Sequence, residues 1–119
     1  MPWTLRFADE FEAEFLALPE SVQDKAMAMF GLLAEFGPSL RRPRVDTLKA
    51  SRHANMKELR FDADGGVWRV AFAFDPVREA ILLVAGDKAG ADERRFYTDL
   101  IAKADARFKR HLTHLKKDK

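Results

Sequence analysis

Three strand-like runs follow one another between Met56 and Lys88, with only short turn segments between them. The runs read MKELRF, VWRVAFAFD and AILLVAGDK, and the segments that separate them are DADGG and PVRE. Connections this short join antiparallel neighbours, because a parallel pair needs a crossover of a dozen or more residues. The middle of the chain is therefore predicted to form a three-stranded antiparallel meander, and the other segments have to pack against it.

A short strand and two helices are predicted before the meander, and one helix after it. Residues 3–7, WTLRF, alternate apolar and polar side chains as a strand does. Apolar residues then recur at helical spacing in two segments that Leu18-Pro19 separates and Gly37-Pro38 ends, and again from Ala91 onward. The predicted order is β-α-α-β-β-β-α, an α+β fold with an N-terminal helical hairpin and a C-terminal helix.

The composition indicates an ordinary globular protein. The 119 residues include no cysteine, so no disulfide staple is available. The first residues lack the basic patch and long apolar run of a secretory signal, and no window reaches the roughly 18 apolar residues of a membrane span. We expect one domain over residues 1–119 that acts in the cytoplasm without a membrane.

The net charge of +2 conceals a separation of charge along the chain. Residues 1–36 hold seven acids and two bases, whereas residues 40–60 hold seven bases and two acids. Bases dominate again from Lys103 to Lys119. Basic clusters favour a polyanionic partner, although a solvated helix face and tail explain the last segment equally well. Residues 39–55 have no usable periodicity and are predicted to form a long basic loop.

Strand register decides whether the charges of the meander meet. If the apolar side chains of its first two strands share the core face, Arg60 lies opposite Arg69 across a four-residue loop, Ala63 to Gly66. The same rule predicts three pairs in the second hairpin: Arg69 with Gly86, Phe72 with Leu83, and Phe74 with Ile81. Five positions then share the face away from that core: Glu58, Arg60, Arg69, Gly86 and Lys88.

Two interpretations of this charged face are open. It is either a cross-strand Glu-Arg network on the surface, or an anion site in which Gly86 lets a ligand approach the backbone and arginine contacts phosphate. The small neighbours Ala71 and Ala73 favour the site, because they leave a shallow floor. His111 and His114 lie three residues apart but no third metal ligand is indicated.

The motifs ELR, WRV and GDK, together with RRFYTDLIAKADARFKRHL in the last helix, closely resemble the HigB-like, phage-derived branch of the RelE/ParE toxin superfamily. The resemblance covers nearly the whole chain. It implies the RelE-like fold and a type II toxin that cuts mRNA on the ribosome by attack of the RNA's own 2′-hydroxyl, with no metal or cofactor. It also implies a cognate antitoxin, commonly a helix-turn-helix DNA-binding protein.

The resemblance implies roles for individual residues. Arg69 would clamp the scissile phosphate, Lys88 would stabilise the transition state or protonate the leaving oxygen, and Tyr97 would stack on a base or orient the 2′-hydroxyl. The best-known RelE members carry a lysine near Glu58, which here is either the general base or the residue that orients Arg60. Seven residues are predicted to contact RNA or the ribosome: Arg41, Arg42, Arg44, Lys49, Arg52, His53 and Lys57.

Two other functions remain open. One is a ParE-like poison that binds a protein such as DNA gyrase and cleaves nothing itself. The other is an inactive phage-remnant module that serves only in a repressor complex. The charged cluster favours the endoribonuclease, because a gyrase poison of this fold needs no phosphate site on the sheet.

Overall fold

Five strands and three α-helices make up the structure, a computed structural model that describes residues 2–117. In chain order they are β1 Thr4–Phe7, α1 Asp9–Leu16, α2 Glu20–Phe36, β2 Val45–Thr47, β3 Met56–Ala63, β4 Gly66–Phe74, β5 Glu79–Asp87 and α3 Glu93–Lys117. The predicted order of elements is confirmed, with one additional short strand, β2, before the meander. Lys119, the last base of the predicted tail, lies outside the described residues.

The strands form one sheet in the order β1-β5-β4-β3-β2. The predicted meander β3-β4-β5 is antiparallel throughout, β2 adds an antiparallel edge, and β1 runs parallel to β5 on the other edge. Arg60 pairs with Arg69 as predicted. The turn is shorter than predicted, because Ala63 and Gly66 also pair and leave only Asp64 and Gly65, with φ of 52° and 76°. Two positive φ values are what a type I′ hairpin turn requires.

The second hairpin departs from the predicted register beyond a β-bulge. Arg69 pairs with Gly86 as expected, but Phe72 pairs with Leu82 instead of Leu83, and Phe74 with Ala80 instead of Ile81. The bulge between Ala71 and Phe72 takes up one extra residue of β5. The run AILLVAG is apolar on both faces, so its pattern carries no signal for the position of that residue.

The sheet is buried on both faces. One face packs Phe72, Leu59 and Leu82 against α1 and α2, and the other packs Ala71, Ala73 and Leu83 against α3. The prediction of a shallow floor at Ala71 and Ala73 is therefore wrong, because α3 covers both residues and both are 0% exposed. Their small size lets the long helix lie close to the sheet.

The predicted basic loop contains the edge strand β2. Val45 pairs with Leu59 and is 5% exposed, so this part of the segment belongs to the core. A three-residue strand is too short to show a period in the sequence, which explains why the segment was expected to be a loop throughout. The Arg42-Pro43 peptide bond just before it is cis.

Ion pairs join the acidic first helix to the basic last one. Arg107 donates hydrogen bonds to both carboxylate oxygens of Glu14, at 2.8 and 2.7 Å, and to the carbonyl of Leu83. Arg110 donates through Nη2 to one carboxylate oxygen of Glu10, Oε2. These two bases of the tail are thus engaged within the fold instead of facing a polyanion. None of the helices in residues 2–117 is long and apolar enough to cross a bilayer.

Candidate active site

Five of the predicted site residues converge at one end of the sheet, where α3 begins. Glu58 and Arg60 lie on β3, Arg69 lies opposite Arg60 on β4, and Lys88 directly follows β5. Alternation along the strands turns these side chains to the face that α3 covers, and Tyr97, on the second turn of α3, points back toward them. We call this set the Glu58 cluster.

A hydrogen-bonded trio forms the centre of the Glu58 cluster. The Tyr97 hydroxyl donates to Glu58 Oε1 at 2.7 Å and accepts from Arg69 Nε at 3.3 Å. Arg69 Nε also lies 3.6 Å from Glu58 Oε1, and its Nη1 donates to the carbonyl of Trp68 at 2.9 Å. The trio connects β3, β4 and α3, so each side chain is held by a different element.

Exposure separates the cations of the cluster into two groups. The side chains of Glu58 and Arg69 are each 7% exposed, whereas that of Arg60 is 34% exposed and that of Lys88 is 19% exposed. Arg60 Nε lies 3.9 Å from Glu58 Oε2, on the far side of the carboxylate from Tyr97. Arg60 and Lys88 therefore present charge to solvent, while Arg69 is largely committed to its neighbours.

Lys88 is positioned by the turn that follows β5. Asp87 accepts hydrogen bonds from the backbone of Val67 and Ala89, each at 2.9 Å, and the Lys88 amide donates to the carbonyl of Val67. The Lys88 ammonium lies 5.7 Å from the centre of the Tyr97 ring, a cation-π contact, and 2.7 Å from Glu93 Oε1. A ligand at Lys88 therefore has to share the ammonium with Glu93.

Gly86 has a packing role in this structure. A Cβ added to Gly86 would lie 2.8 Å from the Phe96 ring, which occupies the space above the backbone. The expectation that Gly86 leaves room for a ligand is therefore wrong, since a side chain of α3 takes that room.

Burial and the neighbouring carboxylate both raise the pKa of Tyr97 above its ordinary value of 10.0. Burial has the larger effect and the hydrogen bond to Glu58 the next, while the bond from Arg69 acts in the opposite direction. Both larger effects disfavour the phenolate, so the hydroxyl is neutral at physiological pH and can donate and accept at once.

The other predicted nucleic-acid contacts do not join the Glu58 cluster. Arg41, Arg42, Arg44 and Lys49 are exposed around β2, and Arg42 pairs with Asp46 at 2.9 Å. Lys57 lies on the opposite face from Glu58 and approaches Thr47 Oγ1 at 3.5 Å. Arg52 and His53 lie instead beside α3, where the His53 ring packs edge-on against Phe108 at 5.0 Å.

Sequence reasoning missed Glu93 as a partner of Lys88. Asp92 caps the N-terminus of α3, because its side chain accepts a hydrogen bond from the Arg95 amide at 3.1 Å. That cap places Glu93 in the first helical turn, next to the basic turn after β5, so the signal was present. His111, considered as a metal ligand, lies 2.8 Å from Oδ2 of the buried Asp75. Within residues 2–117, no three metal-binding side chains come together.

Sequence comparisons relate the chain to one family of phage-derived proteins and to two proteins that are named as toxins. The family described as phage derived protein Gp49-like matches residues 13–109. HigB2 of Mycobacterium tuberculosis, named as a toxin, is 40% identical over 118 residues, which make up 98% of this chain and 58% of the relative. HigB3 of the same organism, also named as a toxin, is 44% identical over 82% of this chain and 83% of its own length. The chain thus spans little more than half of HigB2.

Two solved structures share the fold at low sequence identity. A doubly substituted Escherichia coli toxin RelE in the free state aligns with a TM-score of 0.59 and 13% identity, over 87% of this chain and 97% of RelE. A chain of the toxin-antitoxin complex RelBE2 from Mycobacterium tuberculosis aligns with a TM-score of 0.54 and 20% identity, over 73% of this chain and 99% of that one. The sheet and helices described above are therefore of the RelE type.

Proposed function

Because the chain belongs to the Gp49-like family of phage-derived proteins and is a HigB-like member of the RelE superfamily, we propose that it is the toxin of a type II toxin-antitoxin pair and cuts mRNA on the ribosome. The observation that carries the proposal is the Glu58 cluster. It combines a carboxylate, a neutral phenol and three cations within one end of the sheet. These are the groups that attack by a 2′-hydroxyl on phosphorus requires.

Exposure divides the work among the three cations. Arg60 and Lys88, which face solvent, contact the non-bridging oxygens of the scissile phosphate and stabilise the charge that develops on them. Arg69, which is 7% exposed, holds Glu58 and Tyr97 in place. This differs from the role that the resemblance implied for Arg69. In this scheme the cationic side chains supply the charge stabilisation and no metal ion takes part.

Protons move along the hydrogen bonds of the trio. Because Glu58 is nearly buried, the 2′-hydroxyl does not reach it directly and transfers its proton to the Tyr97 oxygen. At the same time Tyr97 transfers its own proton to Glu58 along their hydrogen bond. The 2′-oxygen bonds to phosphorus, the bond to the 5′-oxygen breaks, and Lys88 protonates that leaving oxygen. The products are a 2′,3′-cyclic phosphate and a 5′-hydroxyl.

The partners and setting follow from the same proposal. A cognate antitoxin, expected to be a helix-turn-helix protein, neutralises the toxin; the RelE-type fold is also found in a structure described as a toxin-antitoxin complex. The toxin acts in the cytoplasm, where ribosomes carry mRNA. Residues 1–119 act as one domain in this scheme.

Cleavage of a defined mRNA on programmed ribosomes tests the proposal. Glu58→Gln keeps the shape of the side chain but removes the proton acceptor, so cleavage should slow by about 10²-fold to 10⁴-fold. Glu12→Gln makes the same chemical change at an exposed acid of α1 and should cleave at the wild-type rate. Mass spectrometry of the 5′ fragment should detect the cyclic phosphate.

Expression in cells separates the alternatives. Induction of the wild type should arrest growth and create new mRNA 5′ ends that disappear with Glu58→Gln, and coexpressed antitoxin should restore growth. Growth arrest with intact mRNA and broken DNA would refute the endonuclease and favour a gyrase poison. Normal growth and no cleavage by the purified protein would identify an inactive remnant.

A further inference from the structure

We propose that the groove between α3 and the loop of residues 50–53 binds the single-stranded RNA that continues from the scissile phosphate. The inference rests on the proposed function, because it names a second contact of the same substrate. No residue of the groove other than Tyr97 belongs to the Glu58 cluster. We call it the α3 groove.

The α3 groove has the size and lining of a ligand site. Its volume is about 790 Å³, within the range of sites that hold small molecules. Ile101, Ala102 and Ala106 form a smooth apolar floor, and Arg94 and Lys109 mark its two ends. The helix between these two ends is about 22 Å long at 1.5 Å per residue, so the groove is elongated like a strand of nucleic acid.

Charge on the rim of the groove fits a polyanion. Arg52, Arg94 and Lys109 line the groove, and within residues 2–117 none of the three forms an ion pair. The opposite side of the same helix is different, since Arg107 and Arg110 are neutralised by acids of α1. Arg94 and Lys109 are therefore available to a ligand in the groove, whereas Arg107 and Arg110 are engaged by α1.

The one acid in the groove has a structural task. Asp105 accepts hydrogen bonds from the Ser51 hydroxyl and from the backbone amide of Arg52, which tie the loop to the helix. The His53 ring, packed on Phe108, fixes the loop at a second point. The wall of the groove is thus held in place before any ligand arrives, which lowers the entropic cost of binding.

Tyr97 connects the groove to the Glu58 cluster. Its hydroxyl takes part in the hydrogen-bonded trio, and the residue also lines the groove. An RNA strand whose phosphate lies at Arg60 and Lys88 therefore passes Tyr97 into the groove. There a base can lie on the aromatic ring and the apolar floor while phosphates follow the cations, which is how proteins bind unpaired RNA.

Anisotropy titrations of a short unstructured RNA against the full chain test the inference. Ala102→Phe fills the groove and should weaken binding about tenfold, the loss expected for one stacked base. Arg94→Gln should reduce the slope of log affinity against log salt by about 0.7, one phosphate contact on single-stranded RNA. Arg95→Gln, the same charge change at the adjacent exposed position outside the groove, should leave the slope unchanged.

Four outcomes would overturn the inference. The first two are absence of RNA binding and equal effects of Arg94→Gln and Arg95→Gln on the salt slope. The third is that all photocrosslinks from thiouridine in the RNA map outside the groove. The fourth is that Ala102→Phe no longer binds the antitoxin but binds RNA as the wild type does. Ribosomal cleavage is measured in parallel. If the variants change RNA binding as predicted but the wild type does not cleave, the α3 groove is supported and the endonuclease is refuted. If the wild type cleaves but the groove variants bind RNA as the wild type does, the endonuclease is supported and the groove is refuted.

Discussion

Removal of the Tyr97 hydroxyl tests the trio at the centre of the site. In Tyr97→Phe the ring and its packing stay, but Glu58 loses a hydrogen bond of 2.7 Å and Arg69 loses one of 3.3 Å. Hydrogen bonds to charged groups contribute about 1.5 to 3 kcal/mol. Tyr97 is only half-buried and the direct Arg69-Glu58 contact at 3.6 Å remains, so the lower end applies. We expect the free energy of unfolding to fall by about 1.5 kcal/mol at pH 7.

Urea unfolding across the alkaline range adds a second, sharper test. Because the pKa of Tyr97 is raised in the folded state, the unfolded chain loses this proton first as pH rises through 10.0, and the wild type loses stability there. Tyr97→Phe has no such proton, so the gap in unfolding free energy between the two proteins should narrow above that pH. Tyr97 is the single tyrosine of the chain, so tyrosinate absorbance follows its ionisation directly.

Three results would refute this reasoning. A native tyrosinate titration at or below the ordinary pKa would contradict the burial and the bond to Glu58. If Tyr97→Phe has the same unfolding free energy as the wild type at pH 7, the trio does not stabilise the fold. If the difference in unfolding free energy between the two proteins stays constant at high pH, Tyr97 is not the group that titrates. The rate of mRNA cleavage on ribosomes is the functional measurement, since the proposed proton relay predicts that Tyr97→Phe lowers this rate by about 10²-fold or more.

Three further changes test other contacts. Gly86→Ala places a Cβ against Phe96 and should lower the unfolding free energy by about 1 to 3 kcal/mol in urea titrations, and an unaffected variant would contradict the tight packing of α3. Glu93→Gln frees Lys88 from its partner and should strengthen binding of short RNA in anisotropy titrations, whereas weaker binding would show that Glu93 assists the ligand. The hydrogen bond from Arg107 lowers the pKa of Glu14, so its stabilisation exists above pH 4.5 and is lost as pH falls through the folded pKa. Wild type and Glu14→Gln should therefore converge in unfolding free energy in acid, and a gap that persists there would exclude this ion pair as the cause.

The first hairpin of the meander was predictable because its strands alternate clearly. Leu59 and Phe61 face one core while Glu58 and Arg60 face the other way, so only one register buries the apolar set. That single inference also brought Arg69 into the site. The position of Tyr97 came from resemblance, since helical spacing alone does not say which way a half-buried side chain turns.

Other features left no usable pattern in the sequence. β5 is apolar on both faces, so the bulge that shifts its pairing with Phe72 could not be located. The role of Gly86 depends on Phe96, which approaches from another element 10 residues later in the chain. Pairing of Arg107 and Arg110 with α1 likewise depends on tertiary contacts, and charge counts along the chain cannot distinguish an engaged arginine from a free one.

The parallel pairing of β1 with β5 delays completion of the sheet in a newly synthesised chain. β1 is made first, yet its hydrogen-bonding neighbour ends at Asp87, and Tyr97 follows later still. Until those residues have left the ribosome, β1 lacks the strand with which it pairs, and Glu58 lacks its hydrogen bond from Tyr97. In the proposed function, cleavage therefore has to wait for the last helix, because the Glu58 cluster is incomplete while the first half of the chain is being translated.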